Sequence, residues 1–247
     1  MKNTVLGLTL LTLAFSSATD AGAQDIESLK SQAKLIYQDN FDREESDDSK
    51  EDLGPNWVTN THRNPSQKKQ ADLVDGYLQI TKSEDAVHGV SVRHDNPFDD
   101  GIVMAKFRLH DQKGLGFHFN DPNCKESSAG HICRVGVTPT KLDFRDGKTG
   151  QFNMKIRKMK KDGAPSEKIK ELMKGTKAVF DVELAVGQWY ELTFLVQGDQ
   201  ATAWIDGKKI GEFRSPGIDH PVKYNIALSV WGERADVDEL RIWSLDE

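Results

Sequence analysis

Cysteine is almost absent from this chain: Cys124 and Cys133 are the only two in 247 residues. That excludes a disulfide-framed mini-scaffold and a four-cysteine zinc module. Positive charge is not in excess either. The 33 Lys and Arg face 39 Asp and Glu, a net charge of −6, which argues against nucleic acid and against insertion into, or binding to, an anionic membrane. Long apolar runs are missing except at residues 5–15, and that run is too short to span a bilayer. No internal repeat and no long linker divides the chain, so a single large domain is expected.

The first residues have the pattern of a secretory leader. Lys2 supplies the positive end, residues 5–15 the apolar stretch, and Ala21-Gly22-Ala23 a small-residue cleavage site. A signal peptide is therefore expected over residues 1–23, with export to the periplasm or beyond the cell. Its loss leaves the net charge unchanged, because Lys2 and Asp20 cancel. Residues 24–33 form a short polar lead-in with a helical turn. Export favours oxidised thiols, so a Cys124–Cys133 disulfide is expected, contributing about 2–3 kcal/mol through its short loop. The competing reading, a metal held by the cysteines with His118 and His131, is weaker because two isolated cysteines make a poor zinc set.

From residue 34 onward the dominant period is two. Leu115, Phe117 and Phe119 alternate with Gly116, His118 and Asn120, which sends the phenylalanines inward and the polar residues outward. About thirteen short strands of this kind, punctuated by five Asp-Gly pairs, predict an all-β antiparallel sandwich over 34–247. Residues 155–177 break the pattern with nine Lys or Arg against three acids. Ser166 is placed to cap a helix over 167–174 that stops at Gly175. The stretch is either a surface helix laid on the sheet or a basic rim that attracts a sulfated or uronic glycan.

Three C-terminal runs carry a resemblance: Gly187-Gln188-Trp189-Tyr190-Glu191-Leu192, Ala203-Trp204-Ile205-Asp206-Gly207-Lys208, and Val237-Asp238-Glu239-Leu240-Arg241-Ile242-Trp243. With Tyr37-Gln38-Asp39-Asn40-Phe41 and Trp57 they resemble concanavalin A-like jelly rolls. Phe119-Asn120-Asp121, Cys124-Lys125, Gly130-His131 and Cys133 are similar to exported jelly-roll proteins of planctomycete-type bacteria, grouped with the 3-keto-disaccharide hydrolase domain. The resemblance implies a jelly-roll β-sandwich and a poly- or oligosaccharide ligand. It also implies either a hydrolase or lyase acting on glycosidic bonds, or a non-catalytic glycan-binding or structural envelope protein. The E-x-D-x-E strand of laminarinase-type relatives is absent, and Asp236-Val237-Asp238-Glu239 has the wrong spacing for a double-carboxylate glycosidase.

The candidate site is the polar segment 118–134. His118, His131, Asp121 and Glu126 are the expected acid–base groups. Asn120, Lys125 and Arg134 are the expected substrate contacts, joined by Arg93 and His94 at a strand end and by Trp231. A regular return strand would send His131 and Arg134 to opposite faces, which makes His118 and His131 the expected pair. Asp143 and Arg145 share a strand face as a surface ion pair. Asp39, Asn40, Asp42 and Asp238 are candidate oxygen ligands for a structural calcium joining the first and last strands.

Overall fold

The computed structural model describes residues 20–246. Most of the expected signal peptide, residues 1–19, lies outside the described residues. Helix α1 (Asp20–Gln32) runs across the expected cleavage point, so the lead-in is a full helix and not a single turn. Its Ile26 is buried against Ile102, Leu195 and Trp204, with Leu29 and Trp243 beside it.

Two antiparallel sheets stack face to face as a jelly-roll sandwich. The larger orders β13 (Lys208–Arg214), β12 (Gln200–Ile205), β11 (Trp189–Gln197), β6 (Gly101–Leu109), β15 (Arg234–Ser244), β4 (Tyr77–Thr81) and β3 (Ala71–Val74), with β1 (Lys34–Asp39) also paired to β15. The smaller orders β10 (Lys177–Asp181), β9 (Lys141–Asp146), β8 (His131–Val137), β7 (Leu115–Asn120), β14 (Lys223–Val230), β5 (Val90–Phe98) and β2 (Trp57–Thr59).

The core lies between the sheets and is made by the alternation. Phe117 and Phe119 are fully buried, and their rings lie 5.7 and 5.3 Å from Phe194 of the opposite sheet. Two Asp-Gly pairs close hairpins as expected: Asp75-Gly76 and Asp206-Gly207 have both residues in the left-handed region, the geometry that matches strand twist. Asp146-Gly147 does not close the β8–β9 hairpin; residues 138–140 do. Instead Asp146 accepts from the Thr149 N–H (2.8 Å), Ser215 Oγ (2.6 Å) and the Gly217 N–H (2.9 Å), and turns the chain toward a helical insertion.

That insertion holds two helices where the sequence predicts one. In α2 (Met154–Lys161), Asn153 caps the first turn by accepting from the Lys155 and Ile156 N–H groups. The expected helix is α3 (Ser166–Leu172), but Ser166 is its first residue and Pro165 precedes it without a side-chain cap. Ile156 and Ile169 are the buried anchors of the pair. No helix among the described residues is long and apolar enough to cross a membrane.

Candidate functional site

Register builds the site on the outer face of the smaller sheet. Pairings Arg93↔Ala227, Ala227↔His118, His118↔Arg134, Arg134↔Arg145 and Arg145↔Lys177 form one row across six strands. A second row runs Asp95, Asn225, Asn120, His131. A third runs Ser91, Ser229, Gly116, Gly136, Asp143.

His131 joins this face through a bulge. In a regular strand, residues 131 and 134 would point to opposite sides. The β7–β8 register shifts between Phe119 and Asn120, so one residue of β8 is extra and both His131 and Arg134 face outward. The expected split between them is corrected by this bulge; the expected pairing of the two histidines holds, with ring centroids 5.8 Å apart. Gly130 sets the turn into β8: its φ is +71°, and a Cβ there would lie 2.0 Å from the Asp121 carbonyl oxygen.

The hydrogen bonds fix which imidazole nitrogen is available. His131 Nδ1 lies 2.7 Å from Asn120 Oδ1, and Asn120 Nδ2 donates to Asn225 Oδ1 at 2.9 Å. An amide oxygen only accepts, so Nδ1 carries the proton and Nε2 keeps its lone pair. Phe152 packs on the same ring at 4.1 Å. His118 Nε2 lies 2.7 Å from Ser229 Oγ, which also accepts from Trp231 Nε1 at 3.2 Å. Both imidazoles are held neutral. Burial pushes His118 down to about 3, assisted by the charges of Arg134 and Arg145. Burial also lowers His131, assisted by Arg157 and Arg134.

Trp231 lies across the two outward glycines. A Cβ on Gly116 or Gly136 would come within 2.7 or 2.5 Å of its ring. The Arg134 guanidinium stacks 4.4 Å from the ring centre. Asp143 bridges two cations, accepting from Arg134 Nη2 at 2.9 Å and Arg145 Nε at 2.6 Å. The pair read from sequence as a surface contact is thus one edge of a three-residue network.

Other expected members are elsewhere or otherwise engaged. The Asp121 carboxylate is taken by His220 Nε2 (3.0 Å) and the Asn123 N–H (2.8 Å), so it braces the loop. Lys125 and Glu126 are exposed on that loop, and the Glu126 carbonyl accepts from the Met154 N–H (2.8 Å). His94 is buried on the inner side, stacked 3.9 Å from Tyr37, away from the outer-face row of Arg93. Arg93 is exposed on the outer face, with Asp95 3.7 Å away.

The expected disulfide is not formed. Cys124 and Cys133 are both free and buried in the hydrophobic core, where burial pushes the Cys133 thiol up to about 12. Strand alternation turns Cys133 inward opposite Phe119, into the apolar layer that also holds Cys124.

The expected calcium set is also not assembled. Asp39 accepts from Arg43 Nη1 (2.6 Å), Tyr37 Oη (2.9 Å), Trp57 Nε1 (3.0 Å) and the Phe41 N–H (2.9 Å), which leaves it no free lone pair for an ion. Asn40 bonds Asp42, and Asp238 accepts from the Glu239 N–H. Among the described residues, the one acidic group close enough to share an ion is Glu45, Asp48 and Asp72, and Lys69 Nζ already pairs with all three. The acid-rich closing strand is occupied too: fully buried Asp236 holds Arg108, His110 and Arg234 on the larger sheet.

Sequence reasoning missed Asn225, Ser229, Phe152 and Arg157. The first two were findable, since they alternate with Ile226 and Leu228 along β14. The last two depend on how the helical insertion folds back.

The fold recurs in solved structures. A GlcNAcα1-4Gal-releasing endo-β-galactosidase from Clostridium perfringens aligns with TM-score 0.56 at 10% identity, covering 86% of this chain and 63% of that one. A laminarinase from Flavobacterium sp. UMI-01 aligns at 0.55 and 12%, covering 85% and 100%. An endo-β-1,3-glucanase from Pyrococcus furiosus aligns at 0.52 and 13%, covering 86% and 94%. At such identities the likeness concerns the fold alone. No curated protein is significantly similar in sequence. Residues 44–242 match the profile of the 3-keto-alpha-glucoside-1,2-lyase-like domain, and the chain belongs to that family.

Proposed function

We propose that the outer face of the smaller sheet binds a saccharide and cleaves a glycosidic bond next to a sugar ketone, with His131 as the base. One observation carries the reading. His131 is neutral, its Nδ1 proton is engaged by Asn120, and its Nε2 lone pair remains for a substrate proton.

The chemistry suited to such a base is elimination. Nε2 takes the proton from C2, beside a C3 ketone. The C–H electron pair forms an enediolate, whose oxyanion is stabilised by the nearby guanidinium of Arg134. Collapse of the enediolate breaks the C1–O bond, and the departing alcohol oxygen takes the proton from the His131 imidazolium. The products are an unsaturated keto sugar and an alcohol, and addition of water to the former gives net hydrolysis. The family description, a keto-glucoside lyase-like domain, supports this class. Export, expected from residues 1–23, would expose the face to saccharides outside the cytoplasm.

The test is incubation with a 3-keto-glucoside and with its unoxidised parent, monitored for an absorbing enone and for solvent deuterium at C2. Turnover of the keto sugar alone is expected. His131→Asn should reduce it by about 10²–10⁴-fold, the usual contribution of a positioned base, with an unchanged melting curve. Deuterium exchange that persists in His131→Asn would remove His131 from this role. Binding without turnover would select the second reading, a glycan-binding module, which the half-exposed Trp231 ring beside Arg134 favours.

A further inference from the structure

The chain is acidic as a whole, yet the face just described is not. The registers place five cations on it, Arg93, Arg134, Lys141, Arg145 and Lys177, against three carboxylates, Asp95, Asp143 and Asp181. Lys141 is paired with Asp181. Asp143 is shared by two guanidiniums. Lys177 and one guanidinium are therefore left without a compensating carboxylate on this face. The row from Arg93 to Lys177 crosses five strand spacings, roughly 24 Å, so the excess is spread along a line.

A second element adds to it independently. The eight residues of α2 include five cations and no acid. The helix begins beside the site loop, where the Met154 N–H meets the Glu126 carbonyl at 2.8 Å. Arg157 lies close enough to lower the His131 pKa. The depressed histidines register the same positive field from Arg134, Arg145 and Arg157. Like charges held together on a negative protein cost stability unless an anion relieves them.

We infer that the saccharide bound on this face is acidic and extended, with carboxylate or sulfate groups held by Arg93, Arg134, Arg145 and Lys177 and with α2 as a basic rim. This rests on the face being the saccharide site, and it adds the substrate class. Guanidinium suits the charge because its planar fork meets carboxylate and sulfate oxygens in pairs. The length of the row suits an oligosaccharide rather than a single sugar.

Three tetrasaccharides of one linkage make the test: a hexuronate, a sulfated hexose and a neutral hexose, each titrated calorimetrically into the full chain. At low salt, at least one acidic probe should bind about tenfold or more tightly than the neutral one, equivalent to one charge-assisted contact. The advantage should shrink as salt is raised to about 0.5 M. Lys177→Gln and Arg145→Gln, both at accessible side chains, should each weaken the acidic probe severalfold, and Lys177→Gln should leave the neutral probe unchanged. A hexuronate-only or sulfate-only response identifies which anion is read. Equal affinity for all three probes, or acidic binding indifferent to salt and to both substitutions, overturns the inference. Turnover of a neutral keto-glucoside with no acidic preference would sink this inference alone. Acidic binding with no turnover of any keto sugar would sink only the elimination.

Discussion

Both sheets are antiparallel and share one period, but their outer faces are finished in opposite ways. On the larger sheet, Ile102, Leu195, Trp204 and Trp243 face outward and are covered by Ile26 and Leu29 of α1. Farther along that face, Asp236 is matched by Arg108, His110 and Arg234. On the smaller sheet the corresponding positions carry histidine, asparagine, serine, arginine and two glycines, and the charges do not balance. An apolar face needs a cover, whereas a polar face with unbalanced charge is stable in water and gains from an anionic partner. Strand alternation alone distinguishes inside from outside. The identity of the outward residues then decides which sheet is closed by its own chain and which is left open.

The sharpest way to test the contrast is within one sheet. Phe117 points into the core and is fully buried between the sheets. Phe117→Ala should cost about 3–5 kcal/mol of unfolding free energy, measured by denaturant titration. Arg93→Ala, on the outer face of the same sheet, should stay within about 0.5 kcal/mol, as surface substitutions usually do. Similar losses from both would mean the outer face also carries the fold.

Next in size is the cover of the larger sheet. Ile26 is buried at the contact of α1 with Ile102, Leu195 and Trp204. Ile26→Ala should cost about 2 kcal/mol or more and should raise the fluorescence exposure of Trp204 and Trp243. It should leave saccharide binding on the other sheet unaltered. If neither stability nor fluorescence moves, α1 does not close that face.

Much of this was legible in the sequence because the physics is local. The alternation of Leu115, Phe117 and Phe119 with His118 and Asn120 requires only that one face be buried, and the strand follows it. The outward placement of His131 with Arg134 was not legible, because a bulge exists only between two paired strands. The helix Met154–Lys161 shows no apolar stripe, since Ile156 is its one buried residue. The expected disulfide is not formed, and the expected calcium ligands carry other partners. Spacing brings groups near in sequence, but side-chain direction and competing partners decide contact. Cys124 and Cys133 lie in one apolar layer as free thiols, and Asp39 is claimed by Arg43 four residues on.

The smallest effect, per unit of pH, tests the electrostatics of the open face. His118 is pushed down to about 3 by burial, with the charges of Arg134 and Arg145 adding to it, and burial likewise lowers His131 and His94. An unfolded histidine titrates near 6.5. Between that pH and the folded value, the unfolded chain binds protons that the native one does not, so stability falls as the solution is acidified below about 6.5. A fully suppressed histidine contributes a slope of about 1.4 kcal/mol per pH unit. The buried carboxylates Asp39 and Asp236, whose pKa values are lowered by their cationic hydrogen-bond partners against the cost of burial, act with the same sign but only below their ordinary range near 4. Across the window from about 6.5 to 4.5 the histidines drive the fall, opposed by Glu45, Asp100 and Asp238, whose carboxyl pKa values burial raises. Denaturant titrations across it should show stability falling with pH, and His118→Gln should flatten the fall. A flat profile for the unaltered chain, or an unchanged slope in the variant, would show that these imidazoles accept protons and that the face is less positive than its geometry implies. An acidic tetrasaccharide bound along the arginine row would offset the cations that help depress both rings. It should raise their pKa values and reduce the slope further, while the neutral tetrasaccharide, lacking charge, should leave it as it was.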